Sequence, residues 1–137
     1  MEQFKDANGR DWHIKITVGT VKAVRDVLHI DLTDMRTIKK IGEDVCLLVD
    51  CLYVCCQKEA TESNITDEQF GESMAGDALD SATDAFLNEL INFSPAQKGN
   101  LLRKTLAKTK ALLDLETVEM EKRIESLSYD QLINSQE

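Results

Sequence analysis

The chain has little positive charge, one proline, and no long uninterrupted apolar run. Sixteen basic against twenty-five acidic residues give a formal net charge of -9 and a pI near 4.7. Such a field repels phosphate backbones and anionic lipid surfaces, so neither nucleic acid nor a membrane is expected as a partner. The first residues, MEQFKDANGRDW, lack a basic stretch followed by an apolar one. No secretory signal is therefore expected, and the protein is read as cytoplasmic. The longest apolar stretch, Val45 to Cys56, is interrupted only by Asp50. It falls short of the roughly 18 residues a bilayer span needs and reads as a core segment.

Motifs for chemistry are also lacking. All four cysteines, Cys46, Cys51, Cys55 and Cys56, lie in that one apolar stretch, and no CxxC occurs. Neighbours on one helix cannot build a disulfide framework, and structural zinc draws on paired ligands from loops. The thiols are expected to be inert core residues in a reducing compartment, and no metal is assigned. No basic residue between Glu43 and Gln57 would activate a thiol. His13 and His29 lie in other elements, Asp80 and Asp84 read as a solvated helix face, and Gly71 and Gly76 belong to no phosphate loop. No catalytic residue and no cofactor is assigned, and the protein is expected not to be an enzyme.

What is present is a run of folding signals. A hydrophobic fraction of 42% with 30% charged residues suits a globular chain of one domain's size. Asn8-Gly9 supplies a tight turn, and Trp12, Ile14 and Ile16 alternate with His13, Lys15 and Thr17, predicting a β-hairpin from Phe4 to Thr17. Thr20 is expected to cap a short helix carrying Val21, Val24 and Leu28 and ending near His29. Residues 30–41 read as an irregular connection, and 43–61 as a buried central helix. Thr66 and Gln69 form a capping box for a short helix through Phe70 and Met74, which Gly76 ends. Asp77 is expected to cap the next helix, whose stripe is Leu79, Ala82, Phe86, Leu90 and Phe93.

Ser94-Pro95-Ala96-Gln97 predicts the start of a last helix, with Ser94 as its cap and proline in its first turn. No second proline stops it, so it could reach Leu127, roughly 50 Å away. Leu106, Leu113, Met120 and Leu127 recur every seven residues, while Thr109, Glu116 and Arg123 interrupt a coiled-coil seam. The expected fold is mainly α, a small N-terminal β-hairpin followed by a helical bundle with a long C-terminal helix. Residues 1–127 are expected to form one domain and 128–137 a flexible tail.

Charge follows the same order. Glu62 to Glu89 holds eight acidic residues and no basic one; Lys98 to Lys110 holds five basic residues and no acidic one. At the C-terminal end Met120, Ile124 and Leu127 extend the apolar stripe past what a small domain covers. With Leu113 they form the candidate partner-binding surface, for a helix of another protein or a second copy of this chain.

The pattern also resembles that of the small tail assembly chaperones of long-tailed bacteriophages and prophages. The resemblance rests on Phe4-Lys5-Asp6, Gly9-Arg10 and Trp12, then Thr17-Val18-Gly19-Thr20-Val21-Lys22 with Val24-Arg25, and Leu48-Val49-Asp50 with Leu52-Tyr53. It continues through Phe70-Gly71-Glu72, Met74-Ala75-Gly76-Asp77-Ala78, Ala82, Ala85-Phe86-Leu87 and Phe93-Ser94-Pro95. It covers about residues 4–95 and implies a helical protein of the host cytoplasm. Such a protein coats the hydrophobic tape measure protein, helps recruit tail tube subunits, and leaves before the virion is complete. The cysteine cluster has no counterpart in that role. The alternative of a different class is a structural head-tail joining or tail completion protein, which stays in the particle.

Overall fold

The computed structural model describes residues 1–127; the expected tail at 128–137 lies outside the described residues. The chain is mainly helical, with a two-stranded antiparallel sheet first and a long helix last. It divides into two compact units, the first of residues 1–99 and the second beginning at Asn100.

Strands β1 (Glu2–Lys5) and β2 (Asp11–Ile14) pair with Phe4 opposite Trp12 and Gln3 opposite His13. Gly9 takes φ +82° in the connecting loop, which a β-carbon resists and glycine does not. Trp12, Ile14 and Ile16 are buried and His13, Lys15 and Thr17 exposed, as the alternation predicts. The loop has an organising residue that its polarity concealed. Asp6 is buried, and its carboxylate accepts from the backbone N–H groups of Asn8 and Arg10 and from Trp12 Nε1, each at 2.9 Å.

Helix α1 (Val18–Leu28) starts one turn earlier than expected. Thr17, not Thr20, is the cap, and the two threonines exchange side-chain-to-backbone hydrogen bonds across the first turn. His29 ends the helix in a left-handed conformation, φ 58°, and its N–H donates to the Arg25 carbonyl. The connection expected at 30–41 is instead mostly helical. Asp34 caps α2 (Met35–Glu43) by accepting from Arg36 N–H, and Ile38 and Ile41, three apart on one face, are buried.

Asp44 caps the central helix α3 (Val45–Glu62), accepting from the N–H groups of Cys46 and Leu47. Its buried face is Leu48, Cys51, Leu52, Cys56 and Ala60, linked by steps of three and four residues that keep them on one side. This helix packs on α1, α2 and β2. The Thr66–Gln69 capping box opens α4 (Asp67–Glu72) as predicted. Phe70 from that short helix is fully buried, edge-on to Trp12 at 5.1 Å and tilted against Tyr53 at 5.5 Å.

Helix α5 (Asp77–Phe93) packs chiefly on β1 and buries Ala82, Phe86 and Leu90 of the predicted stripe. Its cap position is Gly76 and not Asp77, and no side chain caps it. Glu89 is buried on this helix; its carboxylate accepts from Ile16 N–H at 3.3 Å and lies 2.9 Å from the Met1 amino group. Ser94 closes α5 by donating its hydroxyl to the Leu90 carbonyl, so it does not cap the next helix. The Pro95 carbonyl accepts the first bond of α6 (Ala96–Ser126), from Gly99 N–H at 2.8 Å. Proline thus stands just outside the helix rather than in its first turn. At Gly99 a β-carbon would lie 3.0 Å from the Ile91 carbonyl oxygen, so this tight turn between helices suits glycine.

Candidate interaction surface

The second unit is dominated by α6, whose 31 residues from Ala96 span about 46 Å. Nothing in its sequence interrupts it: Gly99 is its only glycine, and the run from Asn100 to Ser126 is rich in Leu, Ala, Lys and Glu, which lose little on entering a helix. Three of its threonines, Thr105, Thr109 and Thr117, turn their hydroxyls back to the carbonyls four residues earlier. That leaves their methyl groups as the outward part of the side chain.

The predicted residues are on the surface. Leu113 and Met120 are each 56% exposed and Ile124 is 45% exposed, while Leu127 is half-buried and its N–H donates to the Ile124 carbonyl. Steps of seven and four residues bring Leu113, Met120 and Ile124 to one face. Sequence periodicity missed Leu112, Leu115 and Val118, which are also exposed but lie off the seven-residue row. Wrapping the helix at 3.6 residues per turn, instead of following one repeat, would have found them. Side chains of this size gain roughly 1.5–3 kcal/mol each on full burial, so their exposure makes α6 the candidate for a docking surface.

The other candidates for chemistry sit in the first unit. Cys51 and Cys56 are buried and Cys55 half-buried. Burial pushes the Cys51 and Cys55 thiols up to about 12, with a smaller contribution from the Asp50 charge at Cys51. It raises Cys56 further still, and the Cys56 thiol points to the His13 carbonyl at 3.9 Å. Such thiols stay protonated at neutral pH and are poor nucleophiles. Cys46 corrects the expectation that all four are core residues, because it lies in the first turn of α3 and is exposed. One thiol of the four is therefore expected to react rapidly with an aromatic disulfide reagent in the native protein. The other three should react only on unfolding, and Cys46→Ser should abolish the rapid phase.

His13 is bound twice to Glu59 of α3: its N–H donates to Oε1 at 2.8 Å and its Nδ1 lies 3.1 Å from Oε2. The pair fastens β2 to α3. Asp80 and Asp84 are exposed on α5. Among the described residues no group of three His, Cys, Asp or Glu side chains is placed to hold a metal ion, and no helix is long and apolar enough to cross a membrane. Comparisons with known families, with curated proteins and with solved structures give no match to this chain.

Proposed function

We propose that this protein is a tail assembly chaperone of a long-tailed bacteriophage or prophage. It acts without catalysis in the cytoplasm of the host bacterium, holding the tape measure protein and assisting the recruitment of tail tube subunits. One observation carries the reading. An acidic, mainly helical unit is continued by a long helix whose Leu113, Met120 and Ile124 are exposed. That is the form expected of a protein that keeps an apolar helical client in solution, because an apolar helix face lowers its free energy by docking against another. The residue pattern over 4–95 gives the resemblance its direction, and the client's contact is assigned to Leu113, Met120, Ile124 and Leu127.

The test combines a variant with an inventory of particles. The double variant Ile124→Asp, Leu127→Asp should leave the 1–99 unit folded by circular dichroism. It should reduce co-purification of the tape measure protein by at least about tenfold, since charge would enter a dry contact. Undiminished capture by the double variant would place the contact elsewhere. Mass spectrometry of purified virions should find the protein absent; a fixed copy number per particle would instead make it a joining or completion protein.

A further inference from the structure

The exposed face of α6 has a second property, in the order of its charges. From Arg103 to Lys110 the helix carries four basic residues and no acidic one; from Asp114 to Glu125 it carries five acidic residues and two basic. All of them are exposed, and among the described residues none is in an ion pair. At 100° per residue, Arg103, Lys110, Asp114, Glu121 and Glu125 fall in one row beside the Leu106, Leu113, Met120 and Ile124 stripe. That row is basic in its first half and acidic in its second.

A stripe flanked by such a row is complementary to itself only when reversed. In a parallel pair the basic halves lie side by side, as do the acidic halves, and like charges oppose association. In an antiparallel pair related by a two-fold axis, the same row meets itself with its order inverted, so every basic position faces an acidic half. We propose that α6 pairs antiparallel with α6 of a second copy of this chain along this stripe, Lys110 of each copy facing Glu121 of the other. With 110 opposite 121 the axis passes between residues 115 and 116. Leu106 of one helix then lies beside Ile124 of the other, Leu113 beside Thr117, and Arg103 within a turn of Glu125. The apolar contact holds the pair and the charge row sets its direction, which is the division of labour seen between core and flanking positions of helical pairs.

The pairing stands independently of what client the protein serves. If the client is a helix seated on the same stripe, the two occupants exclude each other, and the dimer is the resting form from which a client displaces one helix.

Sedimentation equilibrium of the full chain at low salt, from micromolar to high-micromolar concentration, tests the pairing. The wild-type protein should be in reversible monomer-dimer exchange. Lys110→Glu and Glu121→Lys should each weaken the dimer by roughly tenfold, because each places like charges together twice across the axis. The double exchange Lys110→Glu, Glu121→Lys should restore it, as the faced charges are again opposite. Helix content by circular dichroism should be the same in all four proteins at concentrations where they are dimeric. A wild-type chain that is monomeric throughout would overturn the proposal and leave the stripe to a different protein. A dimer indifferent to the single exchanges, or not restored by the double one, would overturn it equally, since a parallel or unrelated pairing has no such dependence.

Discussion

Phe70→Ala is expected to lower the stability of the 1–99 unit by about 3–5 kcal/mol, a large share of the roughly 5–15 kcal/mol a domain of this size holds. The reason is local. Helix α4 is only six residues long, too short to persist on backbone hydrogen bonds alone, and its capping box satisfies its first N–H groups without fixing it to anything else. Phe70 is the side chain that fixes it: it is fully buried, its ring perpendicular to Trp12 and tilted against Tyr53. Removing the ring leaves a cavity between three elements that approach from different directions, so no single side chain can relax into it. The chain's single tryptophan reports the event, because Trp12 is in the same cluster. Urea denaturation followed by tryptophan emission should show a much lower midpoint for the variant. A change below about 1 kcal/mol would mean that α4 is held by its backbone contacts instead. Among those, the Ala7 N–H donates to the Ser73 carbonyl at 2.9 Å.

How far the fold was legible follows from where each signal sits. The hairpin was readable because the pleat forces buried and exposed residues to alternate, and Trp12, Ile14 and Ile16 have no competing pattern. The central helix and α5 were readable because each buries a broad stripe. Helix α2 was not: only Ile38 and Ile41 face inward, Arg36, Lys39 and Lys40 face out, and Gly42 suggests a break. Its start lay in Thr33-Asp34, where Asp31 and Asp34 both accept from nearby backbone N–H groups, and a turn and a cap share that signature. Cap positions slipped by one or three residues wherever two capping residues stand close together, as Thr17 and Thr20 do, or where serine precedes proline and serves the helix that ends rather than the one that begins. The stripe of α6 was legible as a seven-residue repeat. Its charge order was visible only in part, because the basic block at 98–110 stands between two acidic runs, one before Pro95 and one from Asp114 onward, and the sequence alone does not say which of them it faces.

Asp6 is the residue whose importance the sequence hid most completely, since an acid in a polar turn is ordinary and a buried one is not. Replacing it with alanine should cost about 3 kcal/mol at neutral pH, because a buried Trp12 N–H and two backbone N–H groups lose a charged acceptor together. Asp6→Asn keeps one acceptor oxygen and should cost less. The loss must also depend on pH, and the sign can be worked out. Burial works to raise the Asp6 carboxyl, but the Trp12 hydrogen bond, the backbone donors of Arg10 and Asn8 and the Arg10 charge outweigh it, and the net effect is to hold the group below its ordinary value. A carboxyl depressed in the folded state contributes fully above the unfolded value of about 3.9, and that contribution disappears as pH falls through the lower folded value. The other acids of the chain titrate in both proteins and cancel in the difference. The stability gap between wild type and Asp6→Ala, from urea midpoints, should therefore be constant from pH 7 to about pH 5 and narrow steadily below about pH 4. A gap that held its full width down to the acid transition would show that the loop is organised by its backbone, and that the Asp6 charge is incidental to it.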